Sequence, residues 1–513
     1  MKNNILRWVI KEDRGTIFSD LHFIGIVILL LSAGGIGFLL PPVISKMSPA
    51  VDKFGGSIGT FGPAFWGLII GVLIMAVIII FRQDEFAATV VVAASIILDW
   101  YLHIGFVALL MALVLLLVFF LARSPRYPWA TPPALLLWLL FLVLIIFSAT
   151  RGILTNNEAL YFYPGITFGA FIMFWLGTVI ARNVTRARLF FITLTGFGTL
   201  IAIHAIIQTV TGTFLFASSV NDSYYASLSN LILIPGLDTQ RVGSFLLNPD
   251  WSGPFFAVML FIVLGLFVES ASILEKFLYL AETLLLSIAL LFTYTFGAFI
   301  GVGAGIIVLF ILIGRMTYRV LISLMLCLFG IVMTVFFSTQ LALLQQRPTD
   351  SLIRVGAWQT AFRVISAYPL TGVGLGISNY LERAEPYRVA AQYIPLGHPL
   401  NSYLEFGVDG GLPVLLVFVA LLLFALWLAL RNWMRADVPT RALLGGCIAG
   451  IIALSIDSFT NNIWTIPPLA TLGWLILGVI SSPLLMKSRN SALEQDESNT
   501  IVNQSSEDRS LYV

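Results

Sequence analysis

GHPLNSYLEFGVDGGLPVLLVFVALLLFALWLAL, residues 397–430, decides the class of this chain. From Pro413 onward it carries no charge and is as long as the roughly 17–25 apolar residues that cross a bilayer core. Ahead of that run stand a histidine, an asparagine and two acids, polar groups packed against the start of a membrane span. A segment built this way anchors a helix in lipid and presents chemistry at its mouth.

The rest of the chain fits that reading. Hydrophobic residues make up 59% and charged residues 11% of the 513, against about 45–50% and 25% in a soluble domain. The chain is an integral membrane protein. A net charge of +2 without a Lys/Arg-rich tract excludes a nucleic-acid partner. Cys327 and Cys447 sit alone in apolar runs, so no disulfide framework or cysteine metal site is indicated. Leu21 to Leu40 is too long for a signal-peptide core and reads as a retained span.

Apolar windows fall near 21–41, 61–81, 86–102, 104–122, 133–149, 162–181, 189–208, 254–268, 277–295, 297–313, 320–338, 413–430, 442–457 and 466–485. Three are short, which predicts an all-α, polytopic transmembrane bundle of 12–14 spans. The expected organisation is N-terminal spans over 1–208, a first outer loop over 209–253, central spans over 254–338, a large outer loop over 339–412, C-terminal spans over 413–485 and a disordered cytoplasmic tail over 486–513.

Lys and Arg are retained on the cytoplasmic side. With both termini inside, most of the 28 basic residues fall there, including Lys2, Arg82, Arg186, Arg319, Arg435 and Lys487. The exceptions include Arg241, Arg347, Arg354, Arg363, Arg383 and Arg388, all in the two outer loops. A guanidinium fork suits bidentate binding of phosphate or carboxylate, so these arginines point to an anionic ligand at the outer face. The bland alternative is snorkelling to lipid head groups.

Within the second loop, Arg354 to Tyr368 places Val355, Trp358, Phe362 and Ile365 on one helical face, which predicts an amphipathic helix along the membrane surface. Pro369 ends it. PLTGVGLG then has glycines at 372, 374 and 376, suited to a tight turn and wrongly spaced for a dinucleotide fingerprint.

Taken in order, R241-V-G-S-F-L-L-N248-P249, R354-x3-W358, PLTGVGLG, H398-x2-N401-S-Y-L-E405 and G411-L-P413 leading into a span resemble the O-antigen ligase and O-antigen polymerase superfamily. The resemblance covers roughly Arg241 to Leu430. It implies metal-independent glycosyl transfer, without a cofactor, from an undecaprenyl-diphosphate-linked glycan to a hydroxyl on a glycan, lipid or protein. The place would be the outer face of a bacterial cytoplasmic membrane, among its lipids, in lipopolysaccharide or other surface-polysaccharide biosynthesis. Arg241 and Arg354, with Arg347, would hold the diphosphate and stabilise its departing charge. His398 would orient or deprotonate the acceptor, and Asn248, Trp358, Asn401 and Glu405 would support the site.

Three positions depart from the family pattern. Leu400 stands where members carry a histidine, Phe296 replaces the arginine of a Ser-Arg-Gly motif, and Asp250 replaces the last asparagine of Asn-Pro-Asn. A carboxylate at 250 opposes a diphosphate unless an arginine neutralises it. The other histidines, His22, His103 and His204, show no metal-ligand spacing and read as interfacial or hydrogen-bonded packing. Asp457, Asn461 and Asn462 fall at an outer span end, lining the site or capping a helix.

Two other classes compete, an anion or bicarbonate-like transporter and a non-catalytic partner of a glycan-export complex. Carriers hold ionisable residues near the bilayer midplane, whereas Glu282 and Asp457 are expected near span ends. The topology predicts that cysteines introduced at Gly397 and Asp250 react with an impermeant reagent from outside, and those at Arg186 and Ser491 only after permeabilisation. Labelling at 397 only after permeabilisation overturns it.

Overall fold

The computed structural model describes residues 84–101, 107–121, 129–153, 158–211, 241–246, 248–313, 349–392 and 394–486, together with 320, 323 and 330. The windows at 21–41 and 61–81, most of the window at 320–338, most of the first outer loop, Arg347 and the C-terminal tail lie outside them.

The described residues are all-α. Thirteen helices follow in order: α1 Asp84–Tyr101, α2 Val107–Leu121, α3 Leu135–Ile153, α4 Glu158–Ile180, α5 Val184–Thr211, α6 Pro249–Glu269, α7 Ile273–Thr293, α8 Phe296–Leu312, α9 Thr349–Ala367, α10 Ile377–Ala384, α11 Ser402–Arg435, α12 Val438–Asp457 and α13 Pro467–Ser481. Five of them, α5, α6, α7, α11 and α12, are long and apolar enough to cross a membrane, and six more are shorter apolar helices. The chain is a multi-pass membrane protein.

The centre of the bundle is α6 against α12, with α8 on the same partner. Gly301 of α8 lies where a Cβ would meet the Ala453 carbonyl oxygen at 2.4 Å. Lipid offers no hydrophobic drive between helices, so such small residues, by letting backbones touch, supply the packing that association needs. Aromatic residues fill the second contact zone, where Trp138, Phe174, Phe418, Trp464 and Trp474 are fully buried and the rings of Trp138 and Trp474 sit 4.7 Å apart.

The antiparallel run of α6, α7 and α8 brings the starts of α6 and α8 and the end of α7 to one end of the bundle, joined there by the start of α11 and the end of α12. The opposite end holds Arg188, which pairs with Glu269 and Glu275 at 3.0 Å each.

α11 is broken. Gly411 has φ 74° and ψ −175° inside the helix, a conformation essentially restricted to glycine. The break frees backbone groups that a membrane interior cannot solvate, and the glycine-rich loop answers them. Val373 and Gly374 donate their N–H groups to the carbonyls of Val408 at 2.8 Å and Asp409 at 3.0 Å, and Leu412 N–H donates to Pro369 O at 2.7 Å. Ser148 Oγ also donates to Asp409 O, at 2.5 Å. Gly372, Gly374 and Gly376 all have positive φ, which is how the loop turns tightly enough to reach.

Helix α9 forms and ends before Pro369. Val355 and Phe362 of its expected apolar face are 45% and 58% exposed, as lipid-facing side chains would be, while Ala357, Ala361, Val364 and Ile365 are buried. Alanines let α9 approach the rest of the protein closely, so the buried face is set by small residues. Glu282, expected near a span end, lies midway along α7 and is buried, because the helix starts earlier than the apolar window.

An alanine at 411 would need that glycine conformation and would place Cβ 2.7 Å from the Pro369 and Leu370 backbone. Gly411→Ala should therefore destabilise the protein by roughly 1–3 kcal/mol, read as a lower apparent Tm in detergent. A wild-type Tm would contradict this account of the break.

Candidate active site at one end of the bundle

The segment from Arg241 to Asp250 is stitched to three helices. Val242 N–H donates to Phe292 O of α7 at 3.2 Å, and Ser244 Oγ donates to Ile201 O of α5 at 2.9 Å. Ser252 Oγ of α6 reaches back to Gly243 O. His204, buried in α5, contacts Ser244 Oγ at 2.9 Å and lies against Phe245 with ring centres 4.1 Å apart. It is hydrogen-bonded packing, as the sequence suggests.

Asn248 then caps α6, its side-chain oxygen accepting from Asp250 N–H at 2.9 Å, and Pro249 occupies the first turn, where its missing N–H costs nothing. Asn-Pro-Asp thus folds as a helix start that aims Asp250 inward.

Asp250 joins the two expected arginines. Arg241 Nη2 donates to Asp250 Oδ1 at 2.5 Å, while Arg354 Nη2 from α9 makes a longer contact of 3.4 Å to Oδ2. The first turn of a helix favours a carboxylate by about 0.3–1 kcal/mol, whereas a hydrogen bond to a charged group is worth roughly 1.5–3 kcal/mol. The arginines therefore set the position of Asp250. The carboxylate that departs from the family pattern is neutralised by both guanidiniums, leaving one net positive charge on the trio.

Each arginine is also held by backbone. Arg241 Nε donates to Thr293 O at 2.8 Å and Nη2 to Thr295 Oγ1 at 3.2 Å, so the Thr-Tyr-Thr-Phe turn before α8 buttresses it. Phe296, standing where family members carry an arginine, is 39% exposed and adds no charge. Arg354 Nη1 donates to Thr460 O at 2.5 Å and reaches Asn461 Oδ1 at 3.5 Å. Asn461 is itself fixed by Nδ2 donating to Asp457 Oδ1 at 3.0 Å. Asp457, fully buried, acts through the residues that seat Arg354.

Asn401, expected to support the site, caps α11. Its Oδ1 accepts from the N–H groups of Tyr403 at 2.9 Å and Leu404 at 3.0 Å, and its Nδ2 donates to Phe459 O at 2.8 Å. Trp358, one turn after Arg354 on α9, packs against the buried cluster that includes Tyr380, Leu404 and Val408. Glu405 is buried one turn beyond Asn401 and accepts from Thr465 Oγ1 at 2.8 Å.

His398 precedes that cap. Its half-buried ring lines a narrow crevice together with Gly376, Ile377, Tyr380, Gly397, Pro399, Glu405 and Asp409. Burial first, and the positive charge of Arg354 second, push its pKa down to about 4, so the imidazole is neutral at neutral pH. Leu400, with φ 53°, directs its N–H to His398 Nδ1 at 3.3 Å. That bond assigns the ring proton to Nε2, so the ring presents a donor to the crevice. Tyr380 lines the crevice although the sequence gives it no role, and Asp409 lines it as the second acid of the polar stretch ahead of the span. Asp409 stands one turn after Glu405, whereas nothing in ISNYLERA marks Tyr380.

A folded-state pKa of about 4 lies below the usual His value of about 6.5. Between those values the unfolded chain binds a proton that the folded chain does not, so stability is lost as pH falls through that window. The Tm of the wild type minus that of His398→Gln should therefore decrease from pH 6.5 to 4. A pH-independent difference would contradict the neutral ring.

Residues 282–419 match the family model described as O-antigen ligase. No curated protein matches the chain. The matched stretch contains Arg354, Tyr380, His398, Glu405 and Asp409, while Arg241, Asp250 and Asp457 lie outside it. The match supports the O-antigen ligase and O-antigen polymerase superfamily as the family of this domain.

Proposed function

We propose that the protein transfers a glycan from an undecaprenyl-diphosphate-linked donor to a hydroxyl acceptor at the outer face of the bacterial cytoplasmic membrane, with both termini in the cytoplasm. The observation that carries this reading is the Arg241–Asp250–Arg354 trio standing beside a crevice with a neutral imidazole. A diphosphate is a competent leaving group, and the charge growing on it in the transition state is what fixed guanidiniums stabilise. Asp250 holds both guanidiniums at one end of the bundle, so the two cations can act on one anion. His398, as an Nε2 donor, orients the acceptor; Arg347 remains a candidate further cation. The same donor chemistry serves a ligase and a polymerase, which differ in acceptor. A deletion strain separates them: a polymerase defect leaves single repeats on the cell surface, whereas a ligase defect leaves polymer on the carrier lipid.

Glu282 midway along α7 favours a second reading, an ion-coupled anion transporter, because intramembrane carboxyls mark ion pathways. Uptake of labelled anion into proteoliposomes, abolished by Glu282→Gln, would favour it over transfer.

Arg241→Lys and Arg354→Lys keep charge but lose the planar fork that reaches several partners at once. Each should lower transfer by about tenfold or more, the equivalent of one charged hydrogen bond. Arg388, whose fork is occupied by Glu385 at an exposed turn, should tolerate lysine. Equal tolerance at all three positions would point to lipid snorkelling instead of diphosphate binding.

A further inference from the structure

The crevice beside Arg354 holds more chemistry than one imidazole. Tyr380 of α10 is 2% exposed, lines the crevice, and its hydroxyl has no hydrogen-bond partner. A buried hydroxyl left unsatisfied costs about 1–3 kcal/mol, and such a group in a native site calls for an occupant that completes it. Burial first, then the carboxyls of Asp409 and Glu405, raise its pKa above the usual phenol value, so it remains a hydroxyl and lies within the field of both acids.

Glu405 and Asp409 stand four residues apart on α11 and so share a face. Both are buried and both line the crevice. Thr465 occupies one oxygen of Glu405. His398 offers a donor from Nε2, since its Nδ1 lone pair takes the Leu400 N–H. The other acceptors on the crevice wall are the two carboxyls, buried so close together on one helix that they favour sharing a single proton. With a hydroxyl, an imidazole N–H and two carboxyls on its wall, the crevice complements a ligand that both donates and accepts hydrogen bonds.

We propose that Tyr380, Glu405 and Asp409 form the site for a carbohydrate acceptor, in which the two carboxyls share one proton, the ionised member takes the proton of the reacting hydroxyl, and Tyr380 donates to a neighbouring oxygen of the same sugar. The proposal rests on the transfer reading above and deepens it, because a second contacted oxygen selects a polyol over an isolated protein hydroxyl. In the reaction the acceptor oxygen bonds to the anomeric carbon of the donor. The bond from that carbon to the diphosphate oxygen breaks, and its electron pair leaves with the diphosphate held by Arg241 and Arg354. The acceptor's proton passes to the carboxylate, which later releases it to water.

The test is steady-state transfer by the purified full-length protein, using carrier-lipid-linked donor and carbohydrate acceptor extracted from the source cells. Tyr380→Phe removes an oxygen without a partner in the free protein, so folding should not suffer. It should raise the acceptor KM about 3- to 10-fold, the worth of one neutral hydrogen bond, with kcat and donor Kd near wild type. At least one of Glu405→Gln and Asp409→Asn should lower kcat by about 10²–10⁴-fold at unchanged donor Kd. An unchanged acceptor KM in Tyr380→Phe, or unchanged kcat in both carboxyl variants, overturns the acceptor site and leaves the transfer reading standing. Wild-type protein that binds donor without transferring it overturns that reading, and this proposal with it.

Discussion

One carboxylate holds the site together. Arg241 and Arg354 lie on segments 113 residues apart in sequence, and Asp250 touches both. Without it, two guanidiniums at the same end of a membrane bundle would repel each other, and their outward geometry would be undefined. With it, they are fixed at a shared distance before any anion arrives. Preorganised charge of that kind costs no rearrangement when negative charge develops. The dependence reaches further, because Asp250 is aimed by the Asn248 cap, and Arg354 is seated by Thr460 and Asn461, which Asp457 orders.

The second constraint is the break in α11. A helix interrupted at Gly411 exposes carbonyls that need partners, and the loop from Pro369 to Gly374 supplies them from the far side of the same site. The loop leads directly into α10, and Asn379 of that helix holds it by donating to Val373 O and Gly374 O. Satisfying a backbone defect thus places Tyr380 opposite Glu405 and Asp409. Structural and functional demands meet in the same few residues, which is why the crevice is built where two elements must pair and not on a free surface.

Much of this could be read from the sequence, for identifiable reasons. Span positions follow from run length, since a bilayer imposes a minimum apolar stretch that nothing else in a chain imitates. Arg241 and Arg354 stood out because arginine is unexpected in loops read as external, and the glycines at 372, 374 and 376 because their φ preferences are local. What stayed hidden depends on packing. The buried face of α9 is set by alanines, which carry little periodic signal. The roles of Asn248 and Asn401 as caps could not be separated from ligand contacts, since both uses need the same amide. Glu282 was misplaced because α7 begins before its apolar window. Tyr380 gains meaning only from having no partner, a property of three-dimensional surroundings.

The central claim is that the Asp250-bridged arginines form a single anion cradle. A structure of the full-length protein with undecaprenyl diphosphate bound tests it most directly. The account predicts phosphate oxygens within hydrogen-bond reach of both the Arg241 and Arg354 guanidiniums, with the Asp250 bridge retained. Diphosphate bound elsewhere on the protein, with the trio intact and unoccupied, would contradict it.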